Sequence, residues 1–204
     1  MDSVRKIIPF LFLPAGLGLL AKIIQPRSVA ECLLAMAFTL FCIELTKMSR
    51  VDFDNVVSVT QKQTEHQPEA TQSEALQLSD NRLKRFLVVL SSTVVLELVG
   101  FYIASFSLPT GAMVIIFSQL WFNLLAGVQL CPQTEPVIID LDIRDRLPVL
   151  ISNFLALVLI FGWFIEDFQI WVATGLLALT VLYLVVKYFL TGNRPTNLSQ
   201  QSEQ

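Results

Sequence analysis

The sequence predicts an all-α, polytopic integral membrane protein of about six transmembrane helices arranged as three helical hairpins. Three observations carry that expectation. Hydrophobic residues make up 54% of the 204 residues, above the roughly 45–50% of soluble domains even on a count that includes Gly. The excess lies in long runs almost free of charge, and a hydrocarbon core about 30 Å thick needs roughly 20 apolar residues at 1.5 Å rise each. The runs are also apolar all round, whereas helices of a soluble bundle keep a polar face at 3.6 spacing.

Taken in order, the spans are expected at Ile7–Ile24, Val29–Thr46, Phe86–Phe106, Gly111–Cys131, Leu147–Ile165 and Phe168–Leu190. The first carries Pro9, Pro14, Gly16 and Gly18, so it reads as a kinked helix whose freed backbone groups its neighbours re-satisfy. The alternative is a re-entrant half-helix paired with the second span. Ser107–Thr110 and Glu166–Asp167 are very short links, which make antiparallel neighbours of spans three and four and of spans five and six. The organisation is therefore 1–47 for spans one and two, 48–85 for a mobile polar cytoplasmic loop, and 86–131 for the second hairpin. An inner loop at 132–146, the third hairpin at 147–191 and a disordered tail at 192–204 complete it. Within the long loop, residues 58–80 are rich in Gln, Thr, Ser and Glu, too poor in apolar area to offset the entropy of ordering. At an offset of 62, Arg82 aligns with Arg144, Gly100 with Gly162 and Phe106 with Phe168. That spacing raises the possibility that the second and third hairpins are parallel copies, set against the tendency of basic and aromatic residues to recur at every membrane boundary.

Charge sets the expected orientation. With both termini cytoplasmic, only Lys22 and Arg27 of the 14 Lys and Arg fall outside, leaving 12 inside, as the positive-inside rule asks. Arg5 and Lys6 before an apolar run resemble the start of a signal peptide. The run nevertheless continues to Lys22 without a convincing small-x-small cleavage site and is read as a span. Cys32, Cys42 and Cys131 form no CxxC pair and are read as small hydrophobes.

Four polar residues are expected inside the membrane. Glu97 falls about 16 Å from the inner end of the third span, where a carboxyl is costly and marks a functional-site hypothesis. The tight turn after it sets Glu97 opposite Leu120, beside Gln119. Asn123 lies one helical turn further on the same face, and Asn153 on the fifth span at a similar depth. Glu97, Gln119, Asn123 and Asn153 therefore line one polar path over the inner half of the membrane. Two readings compete: a proton or ion relay or the polar end of a lipid or quinone pocket, and an interhelical clamp of side-chain hydrogen bonds. Glu31 and Glu44, near opposite ends of the second span, are read as boundary residues. In the inner loop, Asp140, Asp142, Arg144, Asp145 and Arg146 alternate with apolar residues, as an extended segment would. Asp–Arg pairing is their expected use, with a divalent cation as the alternative.

Missing motifs narrow the chemistry. His66, the single histidine, lies in the polar loop, which leaves no residue set for bis-His haem within the membrane, a membrane Ser–His protease or His₂ zinc chemistry. The sequence carries neither a phosphate-binding loop nor a dinucleotide fingerprint, and its net charge of −3 gives no basic footprint for nucleic acid. No catalytic residues, metal or cofactor are expected. The first expectation for function is a non-enzymatic accessory, scaffold or assembly protein of a membrane complex. Its partners would be the lipid bilayer and other membrane protein subunits or a second copy. A small proton-coupled or ion transporter using Glu97 is the second, and a lipid- or quinone-modifying membrane enzyme the third.

Overall fold

The computed structural model describes residues 2–65, 74–132, 136–140 and 142–191. Among them are α1 (Asp2–Ile24), α2 (Val29–Glu65), α3 (Glu74–Phe106) and α4 (Leu108–Leu125), then strands β1 (Val128–Pro132) and β2 (Pro136–Asp140), then α5 (Ile143–Phe161) and α6 (Gln169–Val185). Six helices are long and apolar enough to cross a membrane. Links at 25–28, at Ser107 and at Ile165 gather at one end of the bundle, the turn end. The β-hairpin, the start of α1 and the end of α6 lie at the other, the terminal end.

α1 is one continuous helix through Pro9 and Pro14, long and apolar enough to cross a membrane, not a half-helix. It turns into α2 through a compact clasp. Ser28 accepts from the Glu31 N–H at 3.1 Å, Glu31 accepts from the Arg27 N–H at 2.8 Å, and Lys22 pairs with Glu31 at 3.0 Å. A Ser–x–x–Glu sequence satisfies helix-start donors in this way.

α3 and α4 form the closest hairpin. Gly100 and Ala104, one turn apart, meet Gly111 so tightly that a Cβ on Gly111 would collide with the backbone of both. Small residues at that spacing let helix backbones touch where no hydrophobic effect drives association. α5 and α6 are joined by two short 3₁₀ turns, Gly162–Phe164 and Glu166–Phe168, but α6 packs more extensively on α2 than on α5, and α5 rests mainly on α4. Gly162, aligned with Gly100 by the 62-residue offset, sits in a 3₁₀ turn near Val172 rather than at a helix crossing. The two hairpins therefore differ where the repeat would make them alike.

Three boundaries differ from expectation. α4 stops at Leu125, not Cys131, because Gly127 takes the left-handed conformation at φ +66°, which ends a helix at little steric cost. The chain then turns into the antiparallel pair β1–β2, with Val128 opposite Asp140 and Leu130 opposite Ile138, where an irregular inner loop was expected. The polar loop at 48–85 is helical at both ends: α2 runs on to Glu65 and α3 begins at Glu74, while 66–73 lie outside the described residues. Val56 and Val59, three apart on α2, are fully buried and belong to one core with Leu130 of the β-hairpin. Two valines diluted among polar residues carry no visible apolar run, yet one helical stripe of them suffices once a hairpin covers it.

The candidate functional site

Glu97 is 2% exposed on α3. Its Oε1 accepts from Gln119 Nε2 of α4 at 2.6 Å, and its Oε2 lies 3.4 Å from Ser49 Oγ of α2. The Glu97–Gln119 pairing follows from the tight α3–α4 turn, which fixes the register of the two helices. Ser49 was not among the sequence candidates. It lies three residues beyond Thr46, where the second span was expected to end, so Glu97 sits level with the first turn of the α2 extension. Asn123 donates from Nδ2 to the Gln119 carbonyl at 2.8 Å, one turn back on its own helix. That bond joins Asn123 to the cluster through backbone, not to the carboxyl directly. Asn153 stands apart on α5, with no side-chain hydrogen bond among the described residues.

Between α2, α4, α5 and α6 lies a cavity of about 540 Å³, inside the 300–1,000 Å³ range of small-molecule sites. Its deep end is apolar, with Ala37, Phe38, Ile116, Ala156 and Leu176 on the wall. Towards the terminal end the wall becomes polar, through Gln119, Asn123, Ser152, Asn153, Tyr183 and Lys187. Along α6 the distance from Leu176 to Lys187 is about 16 Å at 1.5 Å per residue, half of a ~30 Å hydrocarbon core. Gln119 touches both features: its amide nitrogen holds Glu97 and its side chain reaches the cavity. Glu97 itself is not on the cavity wall.

At the polar end α2 and α6 are locked by a second cluster. Glu44, 4% exposed, is ion-paired to Lys187 and accepts from Tyr188 Oη at 2.6 Å. Lys187 also donates to Tyr183 Oη at 3.2 Å, and Lys47 donates to Tyr188 Oη at 2.9 Å with its ammonium 4.4 Å from the ring centre. Glu44 is thus buried and paired, not a boundary residue reaching for headgroups. Tyr188 and Lys187 belong to a π-helical turn, Val186–Thr191, a widened turn of the kind often found at functional sites. Sequence reasoning passed over this cluster because its partners lie more than 140 residues apart. The available signal was a Glu in an apolar run and a Lys–Tyr pair closing another at the same end.

No protein-family model, curated protein or solved structure matches the chain significantly, so the site rests on its own geometry. In the charged motif, Asp142 caps α5, its Oδ1 accepting from the Ile143 N–H at 2.6 Å. Arg144 and Arg146 therefore lie in the first helical turn and not on an extended segment, because the cap starts the helix at Ile143, four residues before the expected Leu147. Arg146 donates to the Asn123 carbonyl, tying α5 to the end of α4. The side chains of Asp140 and Asp145 lie outside the described residues.

Proposed function

We propose that the chain is a non-enzymatic accessory protein of a membrane, and that its task is to hold a lipid-like amphiphile in the cavity between α2, α4, α5 and α6. The observation that carries this reading is the gradient along the cavity. The cavity runs for about half the hydrocarbon thickness, apolar at its deep end and set with amides and a lysine towards the terminal end. Pockets of this size with a few convergent polar groups are the default sites for small molecules. The test is purification in mild detergent followed by mass spectrometry of retained lipids. Ala156→Trp, which fills the cavity from its wall, should strip the bound amphiphile from an otherwise folded protein. A wild-type protein that retains nothing above a control membrane protein, or a filled variant that retains it all, overturns the reading.

Two further points support an accessory role. The long face of α5 keeps Phe154, Val158 and Phe161 more than half exposed. That face is turned to lipid, to another membrane subunit or to a second copy, which native mass measurement distinguishes. We also place the terminal end in the cytoplasm, on the 12-to-2 division of Lys and Arg. In a cysteine-free background, Asp167→Cys should react with an impermeant thiol reagent added to right-side-out vesicles, and Ser58→Cys should not. Reversed labelling would invert the assignment.

The second reading, a proton-coupled carrier, is favoured by one contact, the Gln119 bridge from Glu97 to the cavity wall. Its test is flux in proteoliposomes, which Glu97→Gln should abolish if the carboxyl titrates during transport.

A further inference from the structure

Cations at the polar end of the cavity are already matched by anions. Lys187 is the one cation among the described wall residues. Its side chain, 34% exposed, is paired with Glu44 and hydrogen-bonded to Tyr183. Lys47, its neighbour across Tyr188, lies off the wall. Lys187 also acts electrostatically on Asp52 of α2, so the one cation on the described wall already faces carboxylates. Amides on the wall stand in the opposite condition. Among the described residues Asn153 has no side-chain hydrogen bond. Asn123 commits only Nδ2, to the Gln119 carbonyl, and Gln119 commits only Nε2, to Glu97. Their carbonyl oxygens, and both donors of Asn153, are left for an occupant.

We infer that the cavity selects an uncharged amphiphile whose head both donates and accepts hydrogen bonds, and that Asn153 reads that head. The inference rests on the amphiphile-binding reading above and adds the chemistry of the head. A hydroxyl beside an ester carbonyl or a ring methoxy oxygen fits, as in a diacylglycerol or a methoxylated isoprenoid quinol. Its chain lies towards Ala37, Ile116 and Leu176. A phosphate head would meet a Lys187 charge that Glu44 already neutralises, and drawing the lysine away from that buried carboxylate strands its charge. Uncharged amides lack this penalty, and leaving them unmatched beside a bound head is itself unfavourable.

The experiment titrates the full-length protein in detergent with dioctanoylglycerol, with dioctanoyl phosphatidic acid of the same chains, and with decyl ubiquinol. Binding is read by calorimetry and by shift of the melting temperature. One neutral compound should bind at least about tenfold tighter than the phosphatidic acid, the fold-change that corresponds to 1.4 kcal/mol, and the better of the two identifies the head. Asn153→Leu should erase that preference by weakening the neutral compound alone. Glu44→Gln, which releases the Lys187 charge, should strengthen phosphatidic acid and leave dioctanoylglycerol unchanged. Phosphatidic acid binding as tightly as the neutral compounds overturns the inference while the amphiphile reading stands. No binding of any of the three overturns that reading as well. A full preference retained in Asn153→Leu removes Asn153 from the reader's role.

Discussion

α3 and α4 meet backbone to backbone, while α5 and α6 barely touch. In the first pair Gly100, Ala104 and Gly111 bring the main chains together and leave no room for a methyl group. In the second, a Cβ added to Gly175 of α6 would still lie 3.8 Å from the nearest Leu159 carbon, and α5 turns most of its side chains outward. The difference teaches where a small helical membrane protein keeps its rigidity and where it keeps its space. Helix association without a hydrophobic drive depends on close packing and interhelical polar bonds. The tight pair concentrates both, since the Glu97–Gln119 bond lies within it, and the loose pair leaves the volume that becomes the cavity.

The comparison can be broken with single substitutions. Gly111→Ala should have the largest effect, a loss of about 3 kcal/mol in detergent unfolding, at the upper end of overpacking costs, because only backbone is available to move. A loss below 1 kcal/mol would mean that the α3–α4 crossing is looser than described. Glu97→Leu comes next: it leaves Gln119 and Ser49 unmatched and should cost about 1–3 kcal/mol. Glu97→Gln keeps the shape and should change stability by less than about 1 kcal/mol, the usual size of an interhelical polar contact. Equal losses for the two variants would show that charge, not hydrogen bonding, holds the cluster. In a double-mutant cycle, Glu44→Gln and Lys187→Met should couple by about 1 kcal/mol, reduced from the value of a fully buried pair because Lys187 is partly wet. Additive losses would remove this pair from the forces closing α6 onto α2. Smallest is Gly175→Ala, which meets only ordinary contacts and should gain about 0.5–1 kcal/mol from helix propensity. Destabilisation there would place α5 and α6 in closer contact than 3.8 Å suggests.

Legibility in the sequence followed the range of the interaction. Spans were readable because apolar run length answers directly to membrane thickness. Glu97 and Gln119 could be paired because one short turn fixes the register between them. Ser49 was missed because its helix continues beyond the apolar run, held by Val56 and Val59 under a hairpin that the sequence showed only as an inner loop. Gly127 was the visible mark of that change, and it was read as part of a span. Glu44 was misplaced for a different reason. A lone carboxyl near a span's end looks the same whether it reaches for water or for a lysine on another helix, and only the tertiary fold separates the two. The four expected polar residues do meet around one region, but as a cluster at Glu97 and an amide facing it across a cavity, not as a continuous path.

The ion pair between Glu44 and Lys187 also bears on the order in which the protein becomes complete. α2 is made before α6, and chains fold from the N-terminus as they emerge. Until the last turn of α6 arrives, Glu44 has neither Lys187 nor Tyr188, and the cavity lacks one of its four walls. A nascent chain halted after α5 therefore carries an uncompensated carboxylate in an apolar setting and an open groove where the finished protein has a pocket. Occupancy of the cavity would then require that α6 has docked on α2, because a chain halted before it lacks that wall.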